Sequence, residues 1–454
     1  VLFATGAPVG NVNLTAGLTA GDRSFTLTVS GSVVVAGQWH RLESLATDDF
    51  TREDGVLGGK GEQVFVIGVN GTAVTLAAPV SYTYSQGCRI VRDNSAEITM
   101  EGVTVHGAGR LTDVVNGDIG IQILLGGQVN LIGCTTQLCD QYGIYGSARQ
   151  LKISESEAVI EGYAALADRI SYPIAFSNQT QRVEVTNNVV QGGKEGICQT
   201  SIGSGPGVTQ NAAVSYNTIK GCARSGIATH DAYEKLVISF NNIDYCEQGI
   251  DIRGRHTVLS KNQISHTGTA DGTLDCAVQL GSGVGEIVAE GQKISDVLRG
   301  WWIPSLVEHE VAPGNISITN DNIESDRATH GILLDFRGSD TAGYAQNGDL
   351  LGTLNLSNLN YRISTGTFSR GVETQGRWSN PHVDGRFIGG GPSPSACVYM
   401  HGTNVGGTGN GPVNPDTVAV AFDTGFNAPA VQHSTGLWKN RFRGIGHTPA
   451  GEVV

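Results

Sequence analysis

The sequence predicts an all-β chain wound as a right-handed parallel β-helix, a solenoid, with a small β cap in front. Three observations carry this expectation. One phrase is written four times between Val183 and His266: Val185-Thr-Asn-Asn188-Val-Val190, Val214-Ser-Tyr-Asn217-Thr-Ile219, Ile238-Ser-Phe-Asn241-Asn-Ile243 and Leu259-Ser-Lys-Asn262-Gln-Ile264. A second phrase, a glycine followed by a strand, lies between the copies as Gly196-Ile197-Cys198, Gly226-Ile227-Ala228 and Gly249-Ile250-Asp251-Ile252. The two interleave about every 20 to 30 residues, the mark of stacked coils that bury a continuous core.

Residues 1–95 read as the cap. Ser24-Phe-Thr-Leu-Thr-Val29, Val33-Val-Val35, Gln63-Val-Phe-Val-Ile67 and Ala73-Val-Thr-Leu-Ala77 are short β-type runs, separated by turn signals such as Asn70-Gly71. Residues 96–402 read as the solenoid. Its first phrase can be followed as Ile98, Val129, Ile153, Val185, Val214, Ile238, Leu259, Ala289, Ile318 and Leu356. The second runs Ile121, Ile144, Ile174, Ile197, Ile227, Ile250, Val278, Trp301, Ile332 and Val372. Loop lengths vary while the strand phrases hold, as insertions outside a stacked core would allow. Same-direction turns between parallel strands imply right-handed winding. Residues 403–454 hold Thr417-Val-Ala-Val-Ala-Phe422, Ala430-Val-Gln-His-Ser434 and Trp438-Lys-Asn-Arg-Phe442, which read as last coils or as a capping and trimerisation element.

Two positions have a physical reading within each coil. The glycines at 120, 143, 196, 226, 249, 300, 331 and 371 are expected in a tight turn with positive φ. Asn188, Asn217, Asn241 and Asn262 are expected to form a buried ladder, each amide bonding the next along the axis. Alternation with period two turns Ile227 and Thr229 inward and Ala228 and His230 outward.

The bulk composition excludes several classes. Net charge is −13, which leaves no basic stripe for nucleic acid. No apolar run approaches the roughly 18 residues needed to cross a bilayer. The start, Val1-Leu-Phe-Ala4, lacks a charged leader region and an initiator Met and reads as trimmed. Eight cysteines are present; none has metal-type spacing except Cys134 with Cys139, which lacks a partner pair. They are expected to be free and buried, as are Cys222 and Cys246, each five residues after the Asn of its coil. Neither a metal nor a cofactor is expected.

From Ile98 to about Gly402 the pattern resembles the right-handed parallel β-helix of the pectate-lyase-like superfamily. With a β cap in front and a Gly-rich tail, it is similar to bacteriophage tailspikes. That resemblance implies a homotrimer in the virion tail, associated with other tail proteins, that binds and cuts bacterial surface polysaccharide such as O-antigen or capsule. A chain from another source would instead be secreted. The superfamily contains both hydrolases and lyases.

Outward residues of successive coils should lie about 4.8 Å apart, so register predicts neighbours. It sets Arg253 beneath His230 and Asp251 beside Ala228, with Asp231 and Tyr233 in the turn and Glu195 on the coil before. Farther on it sets Trp302 outward, then Asp335 with Arg337, and Glu373. Asp251 to Asp335 is three coils, roughly 15 Å. Each member also has a plainer reading: a solvated histidine, a surface ion pair of little worth, or an aromatic ring covered at a subunit interface. In hydrolysis, Asp231 and Asp251, or Asp335 with Glu373, would serve as acid and as base or nucleophile. In β-elimination on a uronate polymer, Arg253 or Arg255 would neutralise the sugar carboxylate while His230 or Tyr233 removes the C5 proton. The supply of carboxylates tips the reading toward hydrolysis. A C5-epimerase or a non-catalytic receptor-binding solenoid are the alternatives.

Overall fold

The computed structural model describes residues 2–5, 9–30, 33–46, 50–51, 57–84, 87–92, 96–107, 118–124, 127–160, 171–177, 180–200, 209–230, 233–254, 256–268, 275–281, 285–303, 314–335, 351–363, 370–375, 378–388, 396–401, 417–422 and 431–433. The chain forms two compact units, residues 1–162, 168–217 and 229–236, and residues 163–167, 218–228 and 237–454. Every described element is a β-strand. In both units the strands stack in parallel as the coils of a β-helix.

The first unit begins with Leu2–Thr5, which pairs in parallel with Ile119–Leu124 and so joins the coils. The cap follows as a six-stranded antiparallel sheet in the order Gly10–Asn13, Cys88–Arg92, Gln38–Ser44, Gly61–Asn70, Ala73–Leu76, Ser24–Thr26. Leu27, Leu42, Val66, Val74 and Ile90 close its core. Val33, expected within a strand, lies in a turn with Val34 buried beside it. The Arg149 guanidinium lies 4.9 Å over the Trp39 ring, which ties the cap to a coil.

The expected second column holds within each unit. Ile121, Ile144, Ile174 and Ile197 pair in turn in the first unit. Ile227, Ile250, Val278, Trp301, Ile332 and Val372 do so in the second, and the column continues to Val398 and Val431. All from Ile121 to Val372 are buried, each contributing about 1.5–3 kcal/mol. The segment Thr417–Phe422 likewise pairs in parallel with Trp378–Ile388, so it and Val431–His433 continue the parallel stacks. Trp438 to Phe442 lie outside the described residues.

The first column differs at its start. Ile98 pairs with Val129, but Val129 then pairs with Leu151, while Ile153 takes Leu131 and Val185. Ile98 and Val129 thus stand one inward position earlier than expected. Both positions are apolar and two residues apart, and an alternating pattern cannot distinguish them.

The buried ladder forms and extends beyond its asparagines. Asn188 Nδ2 donates to Asn217 Oδ1 at 2.9 Å in the first unit. In the second, Asn241 Nδ2 donates to Asn262 Oδ1 at 3.0 Å and Asn262 Nδ2 to Gln292 Oε1 at 2.9 Å. The Gln292 N–H donates to Asp321 Oδ1 at 3.0 Å, and Trp301 Nε1–H to Asp321 Oδ2 at 2.8 Å. The left-handed residue of each turn is not the ladder Asn but the one before it: Asn187, Tyr216, Phe240 and Lys261 have φ of 57°, 59°, 56° and 53°. Their varied chemistry means the ladder, rather than the residue's own preference, holds that conformation.

The glycines before the second strand are not left-handed. Gly120, Gly143, Gly226, Gly249, Gly300 and Gly331 are absent from the positive-φ conformations. A Cβ on Gly120, Gly143 or Gly331 would stand 2.5 Å from the carbonyl oxygen of Gly143, Pro173 or Gly371 on the next coil. Close approach of backbone, not turn geometry, requires them.

The seven described cysteines are free and buried. Among the described residues no helix is long and apolar enough to cross a membrane.

Burial pushes the Asp321 carboxyl up from its usual 3.8 to about 7. A raised carboxyl pKa means the folded state binds the proton more tightly than the unfolded chain. The stabilisation is full below about pH 4 and is lost as pH rises through 7. Relative to Asp321→Asn, which does not titrate, the wild type should lose stability at up to about 1.4 kcal/mol per pH unit across that window. Urea midpoints at several pH values measure this; a difference that stays flat would show Asp321 ionised throughout.

Candidate functional site

The glycine before each second strand has a consequence for the outer face. A strand normally sends residues three apart to opposite faces. Across these glycines it does not. The rings of Tyr142 and Tyr145 meet at 4.9 Å, the Arg299 guanidinium covers the Trp302 ring at 4.6 Å, and Arg370 pairs with Glu373. The residue before the glycine and the second residue after it therefore share the outward side, in two parallel columns.

In the second unit one column contains Ala228, Asp251, Gln279, Trp302, Leu333 and Glu373. The other contains Ser225, Gln248 and Cys276, then Arg299, His330 and Arg370. The columns are cross-linked by hydrogen bonds. Ser225 Oγ donates to Gln248 Oε1 at 2.9 Å, Gln248 Nε2 to Gln279 Oε1 at 2.5 Å, and Gln279 Nε2 to Asp251 Oδ1 at 3.4 Å. Arg224 Nη2 stands 3.9 Å from Asp251 Oδ2. Glu373 Oε2 receives both His330 Nε2, at 3.0 Å, and Arg370 Nη1.

Facing outward does not mean exposed here. Asp251 is 1% exposed and Glu373 7%. The carboxylates lie beneath their partners, whereas Arg253 and Trp302 are half-buried. Arg253 lies along the next coil, where a Cβ on Gly281 would stand 2.9 Å from its Cγ. Ala228 pairs with Asp251 as expected. Four coil steps separate Asp251 from Glu373, about 19 Å, so they do not form one acid–base pair. Asp335 ends the strand His330–Asp335, paired with Gln375.

His230 and Glu195 belong to the first unit, and Asp251 and Arg253 to the second. His230 Nε2 lies 2.5 Å from Glu195 Oε2 and 3.6 Å from Cys198 Sγ. Cys198 Sγ lies 3.1 Å from Glu195 Oε2. The Tyr172 ring meets the imidazole edge-on at 5.8 Å. Tyr233 opens the strand Tyr233–Ser239. Asp231, Arg255 and Arg337 lie outside the described residues. Sequence reasoning missed Cys198, Arg224, Gln248, Gln279, Arg299, His330 and Arg370. The residue before each glycine was the available signal for four of them.

No protein-family model matches the sequence, and no curated protein is similar to it at the level of sequence. Among solved structures, the chain is similar to the tailspike protein gp49 from Pseudomonas phage LKA1, with a TM-score of 0.54 and 14% identity over 94% of this chain and 67% of that one. It is also similar to the Pseudomonas phage phi297 tailspike gp61, with a TM-score of 0.57 and 13% identity over 86% of this chain and 64% of that one. The chain spans about two thirds of the length of each. At this identity the likeness is one of fold: the chain is a parallel β-helix of the kind these tailspikes have.

The ion-pair geometry gives a contrast that can be measured. Glu373→Gln should destabilise the fold by about 3–5 kcal/mol, because it removes the buried carboxylate that both His330 and Arg370 face. Glu324→Gln removes the partner of Arg362 in a pair whose side chains are 65% and 58% exposed, and should change stability by less than about 1 kcal/mol. Equal losses in denaturant unfolding would mean that the Glu373 cluster is solvated.

Proposed function

We propose that this chain is part of a phage tailspike that binds a bacterial surface polysaccharide, O-antigen or capsule, along the outer columns of the second unit and cleaves it by hydrolysis. The carrying observation is the half-buried Trp302 with Arg299 over it, in line with the polar column from Asp251 to Glu373. Sugar rings stack on aromatic faces, and a column repeating at about 4.8 Å offers a polymer contacts at regular intervals. The fold likeness to phage tailspikes supports the same reading. In this reading the protein is a homotrimer, attached to other tail proteins of the virion and acting at the host surface.

For hydrolysis Asp251 is the leading carboxylate. It lies under Arg224 and Gln279, so it meets a sugar only when those side chains turn aside, and catalytic contacts often tighten only with substrate bound. Elimination is the second reading. It is favoured by one observation: the less buried groups on this face include Arg224, Arg253 and Arg299, suited to neutralising a uronate carboxylate.

Asp251→Asn should abolish depolymerisation of a susceptible polysaccharide while binding persists, and Trp302→Ala should weaken binding about tenfold without lowering thermal stability, the scale of one lost stacking contact. Product masses from a panel of bacterial polysaccharides, read with ultraviolet absorbance at the unsaturated-uronate band, separate the two reactions. Absorbing products would replace hydrolysis by elimination. Binding without any shortening would leave a receptor-binding solenoid and end the enzymatic reading.

A further inference from the structure

We propose that Glu195, Cys198 and His230 form a binding site for a zinc-class divalent ion, with the fourth coordination position open. The three donor atoms, Glu195 Oε2, Cys198 Sγ and His230 Nε2, converge on one point, separated by 3.1, 3.6 and 2.5 Å. Zinc takes sulfur at about 2.3 Å and imidazole nitrogen or carboxylate oxygen at about 2.0–2.2 Å in a tetrahedral array. Those radii require a sulfur-to-nitrogen edge of roughly 3.6 Å, which is the Cys198–His230 separation. The two Glu195 edges are shorter, as suits a carboxylate hydrogen-bonded to the imidazole. It would draw back by about 0.5–0.9 Å to admit the ion.

These three groups do not match the nearest rival arrangement. In a nucleophilic triad the imidazole uses one nitrogen for the thiol and the other for the carboxylate. Here the same nitrogen, Nε2, faces both. Three donors around one point suit an ion rather than a relay.

Cys198 also differs from the structural cysteines. Cys134, Cys139 and Cys246 point their sulfur at the backbone carbonyl two residues earlier, at Ile132, Gln137 and Asp244. Cys198 Sγ also lies 3.3 Å from a backbone carbonyl, that of Gln199, but it stands on the outward side, reached by two side chains of ligand type, with Glu195 and Cys198 both fully buried. A thiolate and a carboxylate buried together carry two negative charges, which a divalent ion would balance. Glu195-Gly-Ile-Cys198 owes its convergence to Gly196, which brings residues three apart to one side.

The test uses the whole purified chain, loaded with Zn²⁺ or Co²⁺ and passed through metal-free gel filtration. One equivalent per chain should remain, the Co²⁺ form should show thiolate-to-metal charge-transfer absorption, and added Zn²⁺ should raise the melting temperature. Cys198→Ser should remove the absorption and weaken Zn²⁺ retention at least tenfold, as should His230→Gln. Loss of stoichiometric binding in the wild type, absence of the thiolate band, or retention unchanged in both variants would overturn the site. The wild-type spectrum decides the matter even if a variant fails to fold. These readouts do not depend on polysaccharide cleavage, so the two proposals stand or fall separately.

Discussion

The structure depends on how closely one coil's backbone can approach the next at the start of the second strand. At Gly120, Gly143 and Gly331 there is no room for a Cβ beside the carbonyl of the following coil. The same contact recurs at Gly249 against Ala277 and at Gly300 against Gly331. A side chain at any of these positions would push two coils apart and break the stack locally, since strand spacing is fixed by hydrogen bonding at about 4.8 Å. The same irregularity sends the flanking residues to one side. The constraint that packs the coils therefore also builds the double column on their outer face.

Polar groups inside the stack obey a similar economy. An unpaired buried amide is costly, and a ladder solves this by making each side chain the partner of the next coil's backbone and side chain. Asn262 does both, accepting from Asn241 N and Nδ2 while donating to Ile238 O and to Gln292. Where the ladder reaches Asp321, the tryptophan of the second column supplies the last donor. An Asn there would set an N–H₂ or a lone acceptor against two donors, Gln292 N–H and Trp301 Nε1–H. The two carboxyl oxygens can accept one bond each, while burial holds the group's pKa up at about 7.

Much of this was legible in the sequence. The column from Ile121 to Val372 and the Asn ladder could be read because each depends on residue type at a fixed interval. Ile98 and Val129 could not be placed, because neighbouring inward positions of one strand carry the same apolar signal. The glycines were seen but given the wrong cause, and with that cause went the clue that Arg299 and Arg370 join Trp302 and Glu373 on one side. Burial was not legible either. Alternation tells which way Asp251 points, but not that Arg224 and Gln279 fold over it. Cys198 was passed over because its partner lies at 230, beyond any local spacing rule for metal ligands.

Outward residues on a flat stacked sheet are therefore a different population from exposed residues. Neighbours at strand spacing are close enough for arginine and glutamine to lie across the adjacent coil, so a short carboxylate becomes covered by longer partners. That arrangement holds Glu373 between His330 and Arg370 and leaves Trp302 and Arg299 nearer the solvent. What a polymer would meet first is then the layer of guanidinium and aromatic groups, with the carboxylates beneath them as counter-charges. In the proposed reading, recognition and acid–base chemistry are separated by depth, and a substrate that engages the upper layer must displace it to reach the lower.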